Sequence, residues 1–180
     1  MAQKLCYWLM GFFLLFLWQG TVAMGGEKQI KVESTAFEEG GMIPERYTCD
    51  GADVSPPLAL SAVPEGTKSI ALICDDPDAP RGTWVHWVLF NLPPDTKELP
   101  ESLPAYKKLE NGAIHGINDF RKIGYGGPCP PSRTHRYFFK VYALDTEINL
   151  KAGITKRKLL KTMKGHIVAE GQLMGKYTRQ

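Results

Sequence analysis

Trp84-Val85-His86-Trp87-Val88-Leu89-Phe90 is apolar at every position except His86. Side chains of a strand alternate between its two faces, so a run that is apolar at odd and even positions alike is buried on both. The stretch is expected to be a central strand of a β-sandwich. Working outward, further strands are expected at Ile30–Ser34, Ser69–Cys74, Arg136–Leu144 and Ile167–Tyr177. The last rests on alternation, with Ile167, Ala169, Gly171, Leu173 and Tyr177 on one side and Val168, Glu170, Gln172, Lys176 and Thr178 on the other. The 13 Pro and 18 Gly break the chain into short pieces, as a mainly β domain requires. A helix is expected near residues 155–164, where Leu159, Leu160 and Met163 have helical spacing, Thr155 caps the start and Gly165 ends it. A second, shorter helical piece is read at Glu98–Leu103. No βαβ repeat is present, which disfavours a doubly wound parallel sheet.

The N-terminus has a different character. Lys4 is the only charge before Glu27, and Leu5 to Trp18 is an uninterrupted apolar run. The run suits a signal-peptide core and is short for a membrane span, which takes about 20 residues. Small residues follow in Thr21-Val22-Ala23 and Gly25-Gly26, so cleavage is expected after Ala23 or within two residues of it. Residues 1–24 are therefore read as a signal peptide and 25–180 as a single domain, exported to a periplasm or secreted; an uncleaved anchor is the rival reading. Cys6 leaves with the leader. Of the remaining cysteines, Cys74 ends the apolar run Ile70–Cys74 and reads as a core thiol. If two cysteines pair, Cys49 and Cys129 are the expected pair, both lying in loop-like sequence. No pair of cysteines has zinc-site spacing, so no metal is expected.

The formal net charge of +3 gives no reason to expect nucleic-acid binding. One basic cluster stands out: Lys151, Lys156, Arg157, Lys158, Lys161 and Lys164. Such clusters are usually solvated helix faces; the sharper reading is a peripheral contact with an anionic membrane surface.

Three segments concentrate polar groups beside rigid turns. Asp75-Asp76-Pro77-Asp78-Ala79-Pro80 follows a buried strand, and Pro77 and Pro80 stiffen it. Its plain reading is an Asx-type turn with solvated carboxylates; the acid spacing and distal Glu of a calcium loop are missing. His86 is either a satisfied core histidine or a pocket residue beside Trp84; simple alternation puts it on a face with Trp84, Val88 and Phe90. Gly124-Tyr125-Gly126-Gly127-Pro128-Cys129-Pro130-Pro131 is either a plain connection or a rigid loop whose backbone N–H groups approach an anion. His135 and Tyr137 follow it, two apart and so on one strand face.

Asp76-Pro77-Asp78-Ala79-Pro80, the His86-Trp87 strand ending at Asn91-Leu92-Pro93, and Gly124 to Tyr137 resemble the signature of the phosphatidylethanolamine-binding family, closest to its bacterial and archaeal, Raf-kinase-inhibitor-like branch. Tyr47 to Gly51 leading to Ser55-Pro56-Pro57-Leu58, Gly116 to Phe120, and Gly165-His166 leading to Ala169-Glu170 extend the likeness over about residues 28–178. The resemblance implies a mainly β fold, a Greek-key β-sandwich with one or two short peripheral helices and an anion pocket at one end. Carried over, Asp76, His86 and His135 are ligand-binding, with Pro80, Trp84, Gly127, Pro130 and Tyr137 on the walls. Cys129 departs from the pattern, standing where many relatives have a glycine; a Cys49–Cys129 bridge would stiffen that rim.

A phosphate needs donors, which His86, His135 and loop amides supply. Asp76 either accepts from a histidine and fixes its tautomer, binds the ammonium end of a zwitterionic head group, or accepts a proton from the phosphate. The favoured function is a binding module for a small phosphate-like or zwitterionic head group, without a cofactor. The alternatives are a regulator of a protein partner, such as a protease inhibitor, and an enzyme. The enzyme is disfavoured because no nucleophile is signalled: there is no Gly-x-Ser-x-Gly elbow, and Ser132 is a loop serine.

Overall fold

A computed structural model describes residues 29–179. The expected leader at 1–24, its cleavage site and Cys6 lie outside the described residues. Among the described residues eight strands form two sheets. β1 (Lys31–Glu33), β2 (Leu58–Ser61) and β5 (Glu98–Leu99) make a three-stranded sheet in the order β1-β2-β5. β3 (Ser69–Asp76), β4 (Trp84–Leu92), β6 (Ile114–His115), β7 (His135–Leu144) and β8 (Ile167–Tyr177) make a five-stranded sheet in the order β6-β4-β3-β7-β8. Every named pair is antiparallel. β3, β4 and β6 lie in succession and β7 returns to pair beside β3, the strand order of a Greek key.

Two cores lie on opposite faces of the larger sheet. Ile70, Leu72, Trp87, Leu89, Phe139 and Val141 pack against Val32, Leu58, Leu60 and Leu99 of the smaller sheet. Ile73, Val88 and Phe90 pack on the other face against Leu159 and Met163 of α1 (Lys156–Met163). β3 serves both, and all of its residues are buried. Each large side chain buried there stabilises by roughly 1.5–3 kcal/mol. The two-sided apolar reading of β4 holds for the same reason. Thr155 caps α1 by accepting from the Lys158 N–H at 3.3 Å, and Gly165 turns the chain out of it at φ 85°.

Two expectations need correction. Glu98–Leu103 is not helical: Leu99 pairs with Leu58 in β5 and is buried, and Ser102 has φ 58°, which an α-helix does not accept. The alternation along β4 is also interrupted. Cys74 pairs with Trp87 and Asp75 with Val85, so His86 is the extra residue of a β-bulge. Val88 and Phe90 belong to the helix-side core, whereas His86 packs edge-on against Phe120 and Tyr137, and Tyr137 belongs to the inter-sheet core.

Candidate functional site

The C-terminal end of β3 and the N-terminal ends of β4 and β7 meet at one end of the larger sheet, because β3 is antiparallel to both. Asp75 and Asp76 are the last residues of β3 and both are buried, so neither is a solvated turn carboxylate. The pleat sends them opposite ways. Asp75 accepts from Lys140 Nζ at 2.9 Å and from Lys156 Nζ, tying α1 to the sheet. Asp76 accepts from His135 Nδ1 at 2.7 Å through Oδ2 and from the Asp78 N–H at 2.7 Å through Oδ1. The second bond is an Asx turn, the part of the plain reading that holds. Asp78 takes a two-pronged contact from Arg136, 2.8 Å on each side, and the guanidinium holds its carboxyl down at about 2.

His86 donates from Nδ1 to the Gly126 carbonyl at 2.6 Å, and the Gly126 N–H returns a bond to the His86 carbonyl at 3.0 Å. A carbonyl only accepts, so the proton of the neutral ring sits on Nδ1 and Nε2 presents a lone pair. Burial pushes the imidazole pKa down and keeps the ring neutral. His135 has the same polarity, with Nδ1–H directed at the Asp76 carboxylate. In both histidines Nδ1 is engaged and Nε2 is left over, an acceptor when neutral and a donor when protonated.

The loop after β6 reaches the site by close backbone approach. A Cβ on Gly126 would stand 2.7 Å from the Phe120 ring, and one on Gly127 2.5 Å from the Tyr47 carbonyl oxygen. The expectation that loop amides cradle an anion is narrowed here. Gly126 N–H is held by His86, Gly127 N–H donates to Asp53 Oδ1 at 2.6 Å, and Pro128, Pro130 and Pro131 have no N–H. From Gly126 to Pro131 this leaves the amide of Cys129, the residue that departs from the glycine pattern. Cys129 is half-buried and joined to Cys49 by a disulfide, with Cα atoms 5.4 Å apart. Cys49 N–H also bonds the Pro128 carbonyl at 3.1 Å, so the rim is fastened twice to the segment after Tyr47.

Tyr137 is fully buried, its ring 5.1 Å from that of His86, and its hydroxyl has no partner among the described residues. Burial raises its pKa, so it remains a phenol. Trp84 is half-buried and its indole N–H is likewise without a partner. Pro130 is buried and Pro80 is exposed on the turn after β3. Thr134 and Arg136, the neighbours of His135, line an open depression with Asp78, Arg133, Lys176 and Met42. Sequence reasoning missed the residues that hold the cluster from behind. Phe120 lies edge-on to both Trp84 and His86 at 5.4 Å. Asp119 accepts from Val85 N–H at 2.8 Å, and Asn118 Nδ2 donates to the Gly124 carbonyl at 3.2 Å. The Asn118-Asp119-Phe120 triplet after Gly116-Ile117 was the available signal.

The model of the family described as phosphatidylethanolamine-binding protein matches residues 33–178. A UPF0098 protein of Methanothermobacter thermautotrophicus is 51% identical over 150 residues, 83% of this chain and 99% of the relative. A crystal structure of a putative phosphatidylethanolamine-binding protein homolog from Chlamydia trachomatis superposes with a TM-score of 0.78 at 41% identity, covering 85% of this chain and 99% of that one. That of E. coli YbcL, called a new member of the mammalian family, gives 0.78 at 33% identity over 84% and 99%.

Proposed function

The chain belongs to the phosphatidylethanolamine-binding protein family, and we propose that it is an exported binding protein whose Asp76, His86 and His135 form a cup for a small phosphate-like or zwitterionic head group. The buried 2.7 Å contact between Asp76 and His135 carries this reading. It commits Nδ1 of His135 as donor, as Gly126 does for His86, and leaves Nε2 of each ring to the ligand. A fully deprotonated anion meets two lone pairs there and is repelled. A group that brings a proton, such as a monoprotonated phosphate or an ammonium, is accepted; a bare anion binds once a ring protonates. The Cys49–Cys129 disulfide supports the exported part of the reading, since such bonds persist in oxidising compartments.

Calorimetric titration with phosphorylethanolamine and with inorganic phosphate tests it. Binding at millimolar ligand or below is expected, and His86→Ala and His135→Ala should each weaken it at least tenfold. No heat at millimolar ligand, or affinity unchanged in both variants, overturns the reading.

A further inference from the structure

We propose that the outer face of α1 and the start of β8 form a docking surface for an anionic lipid bilayer. Leu159 and Met163 face inward, and Arg157, Lys158, Lys161 and Lys164 are exposed. At 3.6 residues per turn these four bases occupy an arc of about 120° on the opposite side of the helix. Helix α1 contains no acidic residue. Among the described residues no carboxylate lies within ion-pair distance of any of the four; Lys156 alone turns inward, to Asp75. The four bases are therefore unpaired and directed at solvent; the exposed carboxylate of Asp145 beside the turn accepts instead from His166 Nδ1 at 2.8 Å.

The second feature is apolar. Gly165 reverses the chain, and the His166 N–H closes the turn on the Met163 carbonyl at 2.9 Å. Directly after it, Ile167 is 40% and Val168 41% exposed, two of the four large hydrophobic residues exposed on the described chain. Bases flanking exposed aliphatics are the composition of a peripheral membrane contact: the cations draw the protein to anionic head groups and the aliphatics enter the interface. An acidic protein or a nucleic acid would use the bases and leave Ile167 and Val168 without a role, and the aromatic ring beside them, Tyr142, is half-buried against the helix-side core and so is a poor platform for base stacking. Ile167 pairs with Leu144, at the opposite end of β7 from His135. The length of that strand, about 30 Å, separates the patch from the candidate site. The bound protein would hold its cup away from the bilayer, so this proposal stands independently of the ligand reading.

Cosedimentation with vesicles of phosphatidylcholine, alone or with about one third phosphatidylglycerol, tests it, the readout being the excess binding to anionic vesicles. An excess that falls steeply as salt rises is expected. Each base near the surface contributes roughly fivefold in affinity, so Arg157→Glu/Lys161→Glu/Lys164→Glu should remove the excess by at least tenfold. Ile167→Ser/Val168→Ser should weaken binding while keeping its salt dependence. If the triple variant melts below the parent, Lys158→Gln/Lys161→Gln serves in its place. An excess of zero, an excess unchanged by the charge variants, tighter binding to DNA or to polyglutamate than to anionic vesicles, or loss of the excess in His135→Ala overturns the proposal.

Discussion

His135 Nδ1 lies 2.7 Å from Asp76 Oδ2, a contact between two buried side chains 59 residues apart in the chain. The same carboxylate also accepts from the Asp78 N–H, so one side chain orients the imidazole and shapes the turn beside it. Asp76→Ala strands both donors, and a buried donor without an acceptor costs about 1–3 kcal/mol. Urea denaturation should show a loss of this size for Asp76→Ala and a smaller one for Asp76→Asn, whose amide oxygen still accepts. An unchanged midpoint for Asp76→Ala would mean the contact contributes nothing to the fold.

Affinity for an anion should rise as pH falls through the histidine range. With Nδ1 of each ring engaged, protonation adds its proton at Nε2 and converts that atom from acceptor to donor. Phosphate titrates in the same range and confounds the measurement; sulfate does not. Sulfate should bind tighter at about pH 5.5 than at about pH 8 by at least tenfold, and burial of His86 moves its share of the rise towards the acid end. A flat sulfate profile in calorimetry would remove the histidines from the ligand's contacts.

The long strands were legible because their signal is local. A run apolar on both faces, such as Ile70–Cys74 or Trp84–Phe90, reads as a buried strand whatever surrounds it. Leu58–Ser61 alternates correctly but over too few residues behind two prolines, and Glu98–Leu99 is recognisable only through its pairing with β2. His86 shares its side with Trp84 as expected but not with Val88 and Phe90, because a bulge arises from the pairing of two strands and leaves no mark in composition. The site residues themselves were legible through the family resemblance. That Phe120 backs His86, or that Asp53 takes the Gly127 amide, depends on contacts between distant segments that no spacing within one motif encodes.

The Cys49–Cys129 disulfide closes a loop with a sequence separation of 80 and pins the rim formed by Pro128 and Cys129. Disulfides typically stabilise by about 2–4 kcal/mol, chiefly by restricting the unfolded chain and more for longer loops. Cys49→Ser/Cys129→Ser should therefore lower stability by about that amount in urea. It should also weaken phosphate binding, because the half-buried Cys129 carries the amide left on the loop. A variant as stable as the parent would show that the bonds of Cys49 N–H to Pro128 and of Gly127 N–H to Asp53 hold the rim without the bridge.

Burial pushes the imidazoles of both His86 and His115 below their ordinary value. In the unfolded chain the same rings take up protons through about pH 6.5. Below that pH the unfolded state binds more protons than the folded one, so stability falls as acid is added, and is fully present above it. The urea midpoint should be flat between about pH 8 and pH 7 and decline towards pH 5. His86→Gln/His115→Gln should flatten the decline; an equal decline in that variant would assign it to other groups. Saturating sulfate gives a further handle. If Nε2 of protonated His86 holds the anion, sulfate should shrink the acid loss of the parent and leave that of His86→Gln unaffected.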